Sequence, residues 1–180
     1  MLYHATMVGL SIGEKLKSVV TNLAAIPDVF RLEAEKLLER QRPKGRPSRL
    51  SSWFACDEPN LAAEYLDAEI DFPRSKIGLK GQPHLYAVEI HLYSKHPMVL
   101  VGATAVKLSQ GQTDIALLLA DEYWEPKQEW KFWEYISPEI TILREEAWPH
   151  LTALSEALET YVRDSDNLKR FVSGLHCPNV

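Results

Sequence analysis

The sequence predicts an α+β domain. Short β-prone runs recur along the chain with helical-period stretches set irregularly between them, and their order does not build the regular strand–helix–strand alternation of a wound parallel sheet. Length sets the second constraint: 180 residues give room for a single domain, 1–180, with a sizeable core or an appended helix, and not for two independent domains.

The elements follow in order. Leu2 to Thr6 is short, β-prone and bounded by Gly9, which predicts an N-terminal strand. A helix is expected from Ser11, because Ser11 and Glu14 have capping-box spacing and Ile12, Leu16, Val19, Val20 and Leu23 recur at helical period up to Pro27. A second helix carries Phe30, Ala34, Leu37 and Leu38 on its apolar face and Arg31, Glu35, Glu39 and Arg40 on its wet face, ending before Pro43. Residues 11–42 therefore read as a helical insert. Gln41 to Arg49 sets Arg42, Lys44, Arg46 and Arg49 among Pro43, Gly45 and Pro47, a basic irregular loop that is either simply solvated or suited to phosphates.

Leu50 to Cys56 reads as a strand, and Asp57-Glu58-Pro59 starts a helix running from Asn60 to about Glu69. After a Pro/Gly/Lys loop, two strands are expected, His84 to Tyr93 and Met98 to Leu108, with Gln110-Gly111 closing the block. A helix from Thr113 to about Tyr123 precedes strand candidates Glu129 to Tyr135 and Glu139 to Leu143 around the Ser137-Pro138 turn. Residues 149–173 read as an amphipathic C-terminal helix, with Asp164 to Asn167 as the point where it can break.

Composition narrows the classes. A net charge of −5, with 46% hydrophobic and 25% charged residues, is the balance of a globular chain and disfavours generic coating of DNA. The longest apolar run, Ile115 to Ala120, is far short of the ~18 residues a membrane span needs. The start MLYHAT has neither the basic nor the apolar region of a signal peptide, so a cytoplasmic location without membrane attachment is expected. Cys56 and Cys177 fit reduced thiols better than a disulfide framework. The six histidines show no metal-ligand spacing, and the phosphate-loop, dinucleotide and nucleophile-elbow fingerprints are missing, so no metal is expected.

Three dispersed pieces make sense together: Tyr3-His4-Ala5-Thr6 in the opening strand; Ser48 to Asp57 followed by Ala62-Ala63-Glu64-Tyr65; and Phe132 to Leu143. In this order they resemble the ADP-ribosyltransferase superfamily, in the branch of diphtheria toxin and the poly-ADP-ribose polymerases. That family opens on a strand with Tyr-His-Gly-Thr or a variant, continues through an aromatic strand, an Asp turn and a helix bearing a second aromatic, and ends on a Glu-containing hairpin. The resemblance covers three short stretches, about a quarter of the chain, and implies a split β-sheet core with NAD as the ADP-ribose donor.

By that resemblance Glu134 and His4 are the catalytic candidates. Glu134 would hold the nicotinamide ribose and polarise the acceptor, next to the positive charge that develops as the glycosidic bond breaks; otherwise it is an exposed strand carboxylate near Lys131. His4 would hydrogen-bond a ribose hydroxyl, with Ala5 and Thr6 completing the motif and the backbone of Ala5 holding the nicotinamide amide; otherwise His4 is a buried structural residue. Phe54 and Tyr65 would sandwich the nicotinamide ring through their π-faces, or belong to the core. Ser52 would contact the ribose, and Arg49, then Arg46, the pyrophosphate.

The sequence departs from the family at Ala5, where glycine is usual, and at Phe54, where tyrosine is frequent. Phe132 occupies the position two before Glu134, where arginine-modifying members carry a second acid, so arginine-directed transfer is disfavoured. Trp133 and Tyr135 alternate with Phe132 and Glu134, so one set is core and the other surface, and an exposed pair would suit acceptor docking.

The implied activity is transfer of ADP-ribose from NAD to a macromolecular acceptor, protein or nucleic acid, in a toxin-like, phage or defence-related setting. Two other readings stay open: a non-enzymatic protein-interaction module on an α+β scaffold, and a related transferase acting on nucleic acid through the basic loop.

Overall fold

A computed structural model describes residues 1–17, 28–63, 66, 82–149 and 166–174. The chain is an α+β structure built on a seven-stranded, wholly antiparallel sheet. The strands are β1 (Leu2–Thr6), β2 (Lys15–Lys17), β3 (Trp53–Cys56), β4 (His84–His91), β5 (Ser94–Pro97), β6 (Trp133–Ser137) and β7 (Glu139–Glu146), ordered β2-β7-β4-β1-β3-β6-β5. The helices are α1 (Val29–Gln41), α2 over residues 59–63, α3 (Val99–Ser109), α4 (Thr113–Trp124) and α5 over residues 166–174. Among the described residues no helix is long and apolar enough to cross a membrane.

The middle of the sheet is its thinnest seam. β1 is matched to β4 over five residue pairs, whereas its partner on the other side, β3, meets it only at Tyr3↔Cys56. Alternation then places Tyr3, Ala5, Phe54, Cys56, Glu134 and Ile136 on one face. That face is covered by α1, α3 and α4, whose Leu37, Leu38, Leu100, Leu119 and Trp124 form the main core with Ile136. Trp124 ties two of these layers together by donating its indole N–H to the Leu38 carbonyl at 2.7 Å. Ala55, Tyr86, Val88, Ile140 and Ile142 form a separate cluster with Trp53 and Tyr135.

Two expectations are corrected. Ser11–Lys17 is not helical: the Glu14 carboxylate accepts from Ser11 N–H at 3.2 Å, half of the capping box, but Gly13 at φ +81° turns the chain. Lys15–Lys17 then pair with β7 as an edge strand, because hydrogen-bond partners on β7 outweigh the local helical period. Residues 18–27 of the expected insert lie outside the described residues; its second helix is α1, capped by Asp28 accepting from Arg31 N–H at 2.7 Å. Met98 to Leu108 is helix rather than strand. Its β-branched residues point to a strand, but Val99, Leu100, Val101, Ala103 and Thr104 are buried against α1 and α4, and with Val106 apolar yet exposed the helical period does not show in the sequence.

Leu50–Cys56 is a strand only from Trp53, since Ser48 caps a single 3-10 turn over Arg49–Ser51. β5, Ser94–Pro97, has little β-propensity and forms by pairing with β6. In the C-terminal stretch, residues 150–165 lie outside the description and α5 packs Leu168, Phe171 and Val172 on the main core.

Candidate functional site

Glu134 is the second residue of β6, opposite Cys56 on β3 and His96 on β5. It is 1% exposed, so the alternative of an exposed strand carboxylate near Lys131 does not hold. Trp133 and Tyr135, its neighbours in the strand, turn the other way and are half-buried, with the Lys95 ammonium over both rings at 4.3 and 5.5 Å.

A cavity of about 160 Å³ opens beside it, lined by Tyr3, His4, Ala5, Phe54, Cys56, Ala62, Leu66, Met98 and Glu134. Its walls are mainly apolar, and His4 and Glu134 are the ionisable side chains with an unpartnered buried atom among the lining residues. Four residues singled out from the sequence, His4, Ala5, Phe54 and Glu134, thus come together from β1, β3 and β6. Thr6, Ser52 and Arg49 do not line it. Thr6 instead accepts from Val8 N–H at 3.2 Å through its hydroxyl, and the buried Ser52 hydroxyl has no partner among the described residues. Tyr65 lies outside the described residues.

His4 spans the seam between β1 and β3. Its Nδ1 lies 2.8 Å from the Phe54 carbonyl, which can only accept, so Nδ1 carries the proton. Burial lowers its pKa more than this hydrogen bond raises it, so the ring is neutral and Nε2 is a bare acceptor. That Nε2 is buried without a partner. Trp53 meets the ring edge-on at 5.4 Å.

Glu134 is held from one side only. Its Oε1 accepts from the Tyr123 hydroxyl at 2.5 Å and from the Arg49 guanidinium, while Oε2 is buried and unpartnered. Burial pushes its carboxyl up, more than Arg49 and Tyr123 bring it down. Burial, then Glu134 and Asp57, push the neighbouring Cys56 thiol up, so it is a poor nucleophile.

Arg49 occupies a different place from the basic loop that precedes it. It is 1% exposed, and its Nε and Nη2 donate to Glu35 Oε2 and Oε1 at 2.8 and 3.0 Å. Its guanidinium also lies over the Phe54 and Tyr123 rings at 4.9 and 5.1 Å. Burial works against the charge on Glu35, but Arg49 and then Arg31 outweigh it and hold its carboxyl below the usual range. Arg46, by contrast, is exposed.

Sequence reading did not find Glu35, Tyr123, His96, Met98 or Leu66. Glu35 belongs by spacing to the wet face of α1, and its only signal is that it adjoins Ala34 and stands two before Leu37, at the edge of the apolar stripe. Tyr123 is indistinguishable in sequence from core filling. Among the described residues no group of three or more His, Cys, Asp or Glu side chains is placed to hold a metal ion. No protein-family model matches the sequence, and comparison with curated proteins finds no match either.

Proposed function

We propose that the protein is an NAD-dependent ADP-ribosyltransferase of the split-sheet type, taking NAD at the β1–β3 seam and passing ADP-ribose to a macromolecule. One observation carries the reading. His4 and Glu134, 130 positions apart in sequence, both belong to the lining of one cavity, and each has a buried polar atom, Nε2 and Oε2, without a partner among the described residues. Buried polar atoms are almost always satisfied, and two exceptions among the residues that line one cavity suit a ligand with hydroxyl groups.

The chemistry follows from those atoms. Neutral His4 accepts a ribose hydroxyl at Nε2, and Phe54 offers a flat face to the nicotinamide ring. About 160 Å³ is below the ~300 Å³ of ordinary ligand pockets, so only the nicotinamide end is enclosed and the rest of NAD lies along the surface. With Arg49 committed to carboxylates, exposed Arg46 is the group left for the pyrophosphate. As nicotinamide leaves with the bonding pair, Glu134 Oε2 stabilises the positive ribose and then draws the proton from the incoming acceptor. Glu134 acts here as the anion, so activity falls as pH drops through its raised pKa.

The test is thermal shift with millimolar NAD together with nicotinamide release. Ligand at 100 times its dissociation constant adds about 2.7 kcal/mol of stability. The expected pattern is a shift of several degrees that Glu134→Gln keeps and His4→Ala loses, with release abolished in Glu134→Gln. No shift in the wild type, or full release by Glu134→Gln, refutes the proposal.

A further inference from the structure

We infer that Arg49 and Tyr123 form a two-point clamp on one oxygen of Glu134, anchored by Glu35 and steadied by His96, so that Oε2 is the oxygen presented to the cavity. The inference rests on the donor-site reading above and gives a positioning role to Tyr123, Glu35 and His96, outside the sequence motifs, and to Arg49, within one of them.

A buried glutamate has several rotamers, and burial alone does not select one. Here the selection is made by partners with little freedom of their own. Arg49 is forked onto Glu35 through Nε and Nη2, which leaves Nη1 to reach both the Tyr123 hydroxyl, at 2.5 Å, and Glu134 Oε1. The Tyr123 oxygen accepts from Arg49 and so has its proton to give to Glu134. Tyr123 is fixed in turn. Its ring stacks on His96 with centroids 4.5 Å apart, and its backbone carbonyl accepts from His96 Nδ1 at 2.8 Å. His96 Nε2 then accepts from the Ser94 hydroxyl at 2.6 Å, which sets the tautomer, and burial keeps the ring neutral with a pKa of about 4.

The asymmetry at Glu134 is what separates positioning from structural pairing. Two donors converge on Oε1 and none reaches Oε2, although a carboxylate retained for stability alone gains by satisfying both oxygens. Beyond burial, the groups that set its charge are Arg49 on the 3-10 turn, Tyr123 on α4, and Glu35 and Arg31 on α1; Cys56 on β3, His96 on β5 and His4 on β1 are the other titratable residues of the elements around it. Of these, Tyr123 is the one whose contact with Glu134 can be removed without altering the charge of the cluster.

Tyr123→Phe keeps the ring and deletes the hydroxyl. Glu134 is then followed by carboxyl ¹³C NMR in glutamate-labelled protein, its resonance identified by loss in Glu134→Gln, beside steady-state nicotinamide release across pH. The expected result is an upward move of the Glu134 midpoint, since a donor to the anion is gone, and the same move in the acid limb of the rate profile. The kcat should fall at least about tenfold, the worth of one lost transition-state hydrogen bond. The NAD KM should stay within about threefold, because ground-state binding is left intact. Arg49→Lys, which keeps the charge but not the fork, should give a second, intermediate loss.

An unchanged midpoint in Tyr123→Phe overturns the clamp, as does a moved midpoint with unchanged kcat. The two proposals fail separately. If the wild type releases no nicotinamide but the midpoint moves as stated, the clamp stands and the donor reading falls. If Glu134 is required for release and Tyr123→Phe matches the wild type in both readouts, the reverse holds.

Discussion

Replacing Arg49 by methionine removes the cation that Glu35 and Glu134 share while keeping much of the side-chain volume. All three side chains are at least nine-tenths buried, so neither carboxylate can turn to water. Removing one member of a buried pair costs about 3–5 kcal/mol. The lower end applies here, because Glu134 can take up a proton and Glu35 keeps Arg31 at 3.3 Å. About 3 kcal/mol corresponds to a melting temperature lower by roughly 6–12 °C in a chain of this size.

The loss has a definite pH dependence. In the wild type the Glu35 carboxyl is held below its unfolded value, so its contribution is present above that value and disappears as pH falls through the folded one. Glu134, already raised, is raised further without Arg49, so its charge costs more at high pH and nothing once protonated. Both effects make the gap between variant and wild type largest near about pH 8 and smaller near about pH 5. Circular-dichroism melts at the two pH values measure it, and adding Glu35→Gln to Arg49→Met should restore part of the loss. A gap under about 1 kcal/mol at pH 8, or one that widens on acidification, refutes the network as drawn.

Four further outcomes are expected. Glu134→Gln keeps an oxygen to accept from Tyr123 and Arg49 and sheds a charge whose pKa is raised, so it should melt at or above wild type at pH 8, the advantage shrinking as pH falls through the wild-type Glu134 value; a drop of more than about 5 °C contradicts this. Ala62→Leu pushes its added carbons into the cavity, so melts with and without NAD should lose the ligand-induced gain while the apo melting temperature stays within about 3 °C. Leu92 is 84% exposed at φ +52°, so Leu92→Gly should raise stability by up to about 1 kcal/mol in denaturant titration. Gly13→Ala meets no neighbouring atom but must hold φ +81°, and should cost about 1 kcal/mol in the same titration.

Elements whose local signals agree with their packing were legible in the sequence, and those decided by distant partners were not. α1 and α4 carry their apolar spacing within themselves, and β4 is a continuous β-prone run whose Leu85 to Val88 are buried on both faces of the sheet. Ser11–Glu14 shows where locality ends: the hydrogen bond from Ser11 N–H to the Glu14 carboxylate forms as the spacing predicts, yet the chain emerges as a strand because β7, at Glu139–Thr141, offers partners far along the sequence. α3 fails for the opposite reason. Its buried positions cluster in Val99–Thr104 and its exposed ones include the apolar Val106, so no polar stripe marks a wet face, and its β-branched residues then speak for a strand that packing overrules.

The site divides along the same line. His4, Phe54 and Glu134, which line one cavity, stand out in the sequence because each sits in a short run whose order along the chain resembles a pattern. Glu35 and Tyr123 sit in helices whose sequence is satisfied by the bland readings of surface acid and core aromatic, and nothing local contradicts them. Arg49 was found and misplaced: Arg42, Lys44 and Arg46 around it made a solvated loop, but the Ser48-capped 3-10 turn rotates Arg49 inward while Arg46 stays out. A guanidinium among three basic neighbours can be buried only where acids wait for it, and those acids lie 14 residues before it and 85 after. The chain thus spends a buried charge cluster on orienting one carboxylate, an arrangement that hydrophobic replacement would usually match in stability. Its retention at the wall of the cavity is best understood through the free oxygen it leaves there.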